Sequence, residues 1–88
     1  MDIKIVYEDG YEYTDSVEST EPINPQDPWG HPDVDSVSLQ ADMDYAEHMG
    51  WAEDGDDRYE FDSIARADED KKALWVNGEL IWKSKSTL

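Results

Sequence analysis

Four carboxylates fall within seven residues, at Asp54, Asp56, Asp57 and Glu60. Carboxylates at that density either ligate a hard cation or present a charged surface. An EF-hand loop starting at Asp54 needs an acid at position 5, glycine at 6 and glutamate at 12. Those positions hold Arg58, Tyr59 and Ala65, so the spacing is not that of an EF-hand. The histidines, the usual general acids and bases, are only His31 and His48, and His48 fits as a cation near a helix end. No Ser-His-Asp order, phosphate-binding glycine loop or His-Glu-x-x-His motif is present. There is no cysteine, so disulfides and thiolate metal sites are excluded. The expectation is therefore no catalytic residue, no cofactor and no metal, with a Ca²⁺-stabilised module as a minor alternative.

Charge is the strongest chemical signal. The chain carries 23 acidic and 7 basic side chains in 88 residues, for a net charge of −16. The 22 acids of residues 1–70 face only Lys4, Arg58 and Arg66, a net of −19, whereas residues 71–88 net +3. Like charge disfavours direct contact with nucleic acid or an anionic membrane and favours a basic protein surface. Successive outward residues of a strand stand about 7 Å apart. A strand through Arg58–Ile64 would set Glu60 and Asp62 outward at that spacing, with Asp54, Asp56 and Asp57 extending the row from the preceding turn. Asp42, Asp44 and Glu47 would add carboxylates from a neighbouring helix. Such an array can copy the phosphate rows of DNA. Trp29 and Trp51 are candidate apolar anchors for the same contact. The opposing reading is that the acids serve solubility alone.

The elements that must position these groups follow from pattern. Ile3, Ile5 and Tyr7 alternate, and a Glu8-Asp9-Gly10 loop pairs Tyr7 with Tyr11 and Ile5 with Tyr13. Residues 18–33 hold all four prolines and read as a long loop, in which Trp29 either pins the loop to the core or stands exposed for recognition. Residues 34–50 fit both periods. Their Gln, Ala, Met and Glu content favours a helix over about 38–49, capped by Ser36 or Ser38 and stopped at Gly50. Asp68-Glu69-Asp70 reads as a turn. Asn77-Gly78 between apolar runs predicts a type I′ hairpin that pairs Trp75 with Leu80 and Ala73 with Trp82. Leu74, Val76 and Ile81 would then fall on the opposite face, so both faces of the hairpin would need covering by the helix, the loop or a second subunit. The expected architecture is α+β, a mainly antiparallel sheet of about five strands (ββαβββ) with one helix and a long proline-rich loop. It forms a single domain over 1–88 that ends in a short basic tail, 84–88. The ten aromatic residues argue for a folded chain. No secretion signal or membrane-spanning stretch is read, which is compatible with a cytoplasmic location.

In size, acidity and lack of catalytic motifs the chain resembles the phage-encoded DNA-mimic inhibitors, among them anti-restriction and anti-CRISPR proteins. The resemblance covers composition over the whole chain and no motif. It implies an inhibitor of a nuclease, a CRISPR effector or a DNA-binding regulator. The competing expectation is a non-mimic interaction module or small complex subunit that uses an apolar sheet face around Trp75, Trp82 or Leu74. Homodimerisation is compatible with either.

Overall fold

A computed structural model describes residues 1–19, 21–51 and 57–84, with side chains described outside 57–62. The elements are β1 (Asp2–Tyr7), β2 (Glu12–Ser16), a 3-10 turn (Pro28–Gly30), α1 (Pro32–His48), α2 (Asp57–Glu69), β3 (Lys71–Val76) and β4 (Glu79–Lys83). The sheet order is β2-β1-β3-β4 and every neighbouring pair is antiparallel. The α+β class is as expected, but the described residues form four strands and two helices in place of five strands and one helix.

Both hairpins follow from their turn residues. Ile5 pairs with Tyr13, and the Tyr7 amide donates to the Tyr11 carbonyl at 2.9 Å. Gly10 takes φ +92°, a conformation that costs a residue with a Cβ about 1–2 kcal/mol. Asn77 and Gly78 both take positive φ, 52° and 79°, as a type I′ turn demands. The turn pairs Trp75 with Leu80 as expected. Beyond it the register slips: Leu74, not Ala73, faces Trp82. Ile81 is thus the extra residue of a β-bulge. The slip returns Trp82 to the same face as Leu74, and both lie on the side that meets the helices.

α1 begins six residues earlier than expected, inside the proline-rich segment. Pro32 suits the first helical turn, where no amide partner is needed. The cap is His31, not Ser36 or Ser38: its Nδ1 accepts from the amides of Asp33 and Val34. Asp33 and Asp35 then sit favourably at the positive end of the helix dipole. The buried residues Val34, Val37, Ser38, Ala41, Asp42, Tyr45 and Ala46 trace a 3.6-residue stripe.

The strand expected over Arg58–Ile64 is not formed; these residues belong to α2. Tyr59 and Phe61 alternate with acids, but Ile64 is the only β-branched residue in Asp57–Glu69, and no glycine or proline interrupts it. Helix propensity therefore prevails over a short alternation. α2 also takes in Asp68 and Glu69, which leaves Asp70 alone as the turn into β3.

α1 lies on one face of the sheet with α2 packed beside it. Ile3, Ile5, Tyr7, Leu74 and Val76 from the strands meet Val34, Val37, Ala41 and Tyr45 of α1 and Ala67 of α2 in one core. The loop before α1 is held by His31, 6% exposed, whose Nε2 lies 3.3 Å from the Glu21 carbonyl. The opposite sheet face carries Lys4, Val6, Thr14, Ala73, Trp75 and Leu80, and no described helix lies over it. Of the three covers expected for the hairpin, the helices and the loop lie on the core face. The basic tail beyond Ser84 lies outside them. Among the described residues no helix is long and apolar enough to cross a membrane.

Candidate functional site

The carboxylate array expected from sequence is redistributed. Asp54 and Asp56 lie outside the described residues, and Asp57, Glu60 and Asp62 lie on the first turns of α2. Residues two apart on a helix are separated by about 200° around its axis, so Glu60 and Asp62 do not form the row a strand would give. The Ca²⁺ alternative rests on these same residues. Among the described residues no cluster of three His, Asp or Glu side chains is arranged to hold a metal.

Asp42, expected on the contact face, is 3% exposed and belongs to the interior. It occupies the apolar stripe of α1 because two strand residues supply its partners. The Tyr7 hydroxyl donates to Oδ1 at 2.7 Å, and the Lys71 ammonium lies 3.0 Å from Oδ2. Lys71, at the start of β3, is itself 4% exposed. It also donates to Ser38 and, at 2.5 Å, to Asp68, with its Nζ 4.7 Å from the Trp29 ring centre. Burial pushes the Asp42 carboxyl up, against the downward pull of Lys71 and the Tyr7 hydrogen bond. Burial, helped by Asp42, also pushes the Tyr7 hydroxyl up. Every buried polar side-chain atom among the described residues has a partner, so this network is a closed structural unit.

The acids that do gather at one surface come from three connections. The β1–β2 loop supplies Glu8 and Asp9, the turn between α2 and β3 supplies Asp70, and the last turns of α1 supply Asp44, with Glu69 and Glu47 adjacent in the chain to Asp70 and His48. They meet because the Glu8 amide donates to the Asp70 carbonyl at 2.9 Å, which ties the β1–β2 loop to the turn before β3. An aromatic floor holds them in place. Tyr7 stacks on Tyr45 with ring centres 4.1 Å apart, and Tyr11 stacks on His48 at 4.4 Å. The Tyr11 hydroxyl donates to Asp44, and the Tyr45 hydroxyl donates to Asp70 at 3.2 Å. His48 Nε2 lies 3.4 Å from Asp9. Burial, followed by the charges of Asp70 and Asp9, pushes the Tyr45 hydroxyl up to about 12. Glu8, Asp9, Glu47 and Glu69 remain exposed, and Asp44 is half-buried.

Several cations that would dilute this corner are engaged elsewhere. Lys71 is enclosed, Lys4 pairs with Glu12 at 3.3 Å on the far sheet face, and the Arg66 guanidinium lies over Trp51 at 4.4 Å. The two tryptophans expected as anchors are half-buried within the fold. Trp29 meets Trp82 edge-on at 5.3 Å, which pins the loop to the core, and Trp51 meets Tyr45 edge-on at 5.6 Å. Sequence reasoning placed Asp44 and Glu47 here but missed Glu8, Asp9, Glu69 and Asp70. The available signal was their position as acid pairs flanking the two turns nearest β1 and β3. The chain matches no family model, no curated protein and no solved structure.

Proposed function

We propose that the chain is an acidic protein-binding inhibitor. It would act by occupancy and not by catalysis, and would block the basic nucleic-acid site of a nuclease, CRISPR effector or DNA-binding protein as a DNA mimic. The observation that supports this reading is the convergence of Glu8, Asp9, Asp44 and Asp70 at one corner, with the exposed Glu47 and Glu69 adjacent to it in the chain and Lys71 and Lys4 paired with other carboxylates. The aromatic floor fixes three of these carboxylates through Tyr11, Tyr45 and His48. A fixed array loses less conformational freedom on binding than a mobile one. On this reading the protein works in the cytoplasm beside its target.

The test is displacement of labelled duplex DNA from a panel of purified nucleases, CRISPR effectors and DNA-binding repressors. At least one target should lose its DNA, less readily as salt rises, because the contact is electrostatic. Changing Glu8, Asp9, Glu47 and Glu69 together to their amides should weaken the displacement at least tenfold, since charge complementarity sets both encounter rate and register. Undiminished competition by that variant, or no displacement from any target, would overturn the proposal.

A further inference from the structure

The uncovered sheet face differs in kind from the rest of this surface. The strand register draws two rows across it: Glu12, Val6, Ala73 and Lys83 in one, and Thr14, Lys4, Trp75 and Leu80 in the other. These rows hold two lysines against one acid in a chain whose net charge is −16. Leu80 is 45% exposed, and Val6, Ala73 and Trp75 are half-buried. Beside Thr14 the face sinks into a shallow cavity of about 420 Å³ whose lining includes Lys4, Thr14, Ser16 and Trp75 together with the acids Asp2 and Asp15. Four strands about 4.8 Å apart, the inner two of 6 residues and the outer two of 5, make a face of roughly 19 by 17–20 Å. Its apolar part, Val6, Ala73, Trp75 and Leu80, runs diagonally between the polar residues of the two edge strands.

We propose that this face docks on the same face of a second copy of the chain, about a two-fold axis parallel to the strands. The argument is charge complementarity. Such an axis lays β2 of one copy over β4 of the other. Glu12, which already pairs with Lys4 of its own chain at 3.3 Å, then also meets Lys83 of the second copy, twice by symmetry. The same operation brings Leu80 over Thr14, at the mouth of the cavity, so the one large apolar side chain of this face that is exposed enters the recess its partner offers. Lys4 faces Trp75 across the interface, as it does within the chain, where its Nζ lies 5.0 Å from the ring centre. A two-fold perpendicular to the strands would lay β2 over β2 and β4 over β4, so Glu12 and Lys83, on opposite edge strands, would not meet. Contact through the acid corner would oppose Glu8, Asp9 and Glu69 to themselves. Two sheets packed this way lie about 10 Å apart, as in a β-sandwich.

Sedimentation equilibrium of the full chain over a wide concentration range tests this directly. The chain should form a dimer that tightens with ionic strength, because screening relieves the repulsion between two strongly acidic bodies. This is the reverse of the salt response expected for the inhibitor contact, so failure of one does not decide the other. Lys83→Glu should weaken the dimer roughly tenfold or more by setting like charges together. The double change Glu12→Lys with Lys83→Glu should restore it. Leu80→Asp should give a monomer, with circular dichroism confirming the fold. A chain that stays monomeric to about millimolar concentration would overturn the proposal. A dimer indifferent to Lys83→Glu would do the same, and a double variant that fails to recover would overturn the stated axis.

Discussion

Replacing Lys71 with methionine keeps an apolar stem of similar length and removes only the ammonium. Asp68, with a side chain 66% exposed, can turn to water, and Ser38 loses one donor. Asp42 cannot turn, because its side chain is 5% exposed and would keep Tyr7 as its only donor. A buried charge that loses its partner costs about 3–5 kcal/mol. That is a large share of the roughly 5–15 kcal/mol of a whole domain. Urea unfolding followed by tryptophan fluorescence measures it, with Trp29 beside the altered site. The loss should be pH-dependent. Without Lys71 the folded-state pKa of Asp42 rises further above its ordinary value of 3.8. As pH falls through that raised value, the folded chain binds a proton that the unfolded chain does not, so stability is regained relative to wild type. The combined change Lys71→Met, Asp42→Leu and Tyr7→Phe removes the buried ion pair together with the hydroxyl that donates to it, and leaves Ser38 and Asp68 each without the lysine. It should lie within about 1–2 kcal/mol of wild type, since buried ion pairs are replaceable by apolar groups. A Lys71→Met loss below about 1 kcal/mol, or one that is the same at neutral and acid pH, would refute the reasoning.

Two further outcomes follow from the interior. At alkaline pH the unfolded chain gives up the Tyr45 proton near 10.0, whereas the folded chain holds it to about 12. Stability should therefore fall as pH rises through that window, and the Tyr7 hydroxyl, also pushed up by burial, adds to the fall, as read by urea midpoints and phenolate absorbance. Leu39→Ala should change stability by less than about 0.5 kcal/mol, because Leu39 is 48% exposed. Leu74→Ala should cost about 2–5 kcal/mol, because Leu74 is fully buried; equal losses at the two leucines would contradict the helical placement of α1.

The two hairpins were legible because their turns need particular residues: Gly10 in one, Asn77 and Gly78 in the other. α1 was legible in type but not in extent. Ser38 and Asp42 lie in its buried stripe, so the apolar period is broken where the polar network enters, and the alternation of Val37, Leu39 and Ala41 stands out instead. The cap was missed because histidine seldom takes that role, and proline read as loop instead of first helical turn. α2 was misread because a Tyr-Glu-Phe-Asp alternation looks the same whether a strand or a helix end carries it. The bulge at Ile81 has no local sequence mark. The Lys71–Asp42 pair joins residues 29 apart, and the acid corner joins three connections, so no local window contains either. Total charge was evident from composition; its location depended on which turns the sheet brings together.

The sheet order also bears on how the chain folds. Each hairpin supplies one inner and one outer strand, and the seam between the two is β1 against β3, from opposite ends of the sequence. Each hairpin can close in microseconds, but the seam must wait for a long loop to close. The cost of that closure rises only about 0.6 kcal/mol for each doubling of loop length. The transition state is therefore expected to be the meeting of two preformed hairpins. Changes at Ile5 or Leu74 on the seam should slow folding, whereas lengthening the chain between α1 and α2 should leave its rate nearly untouched.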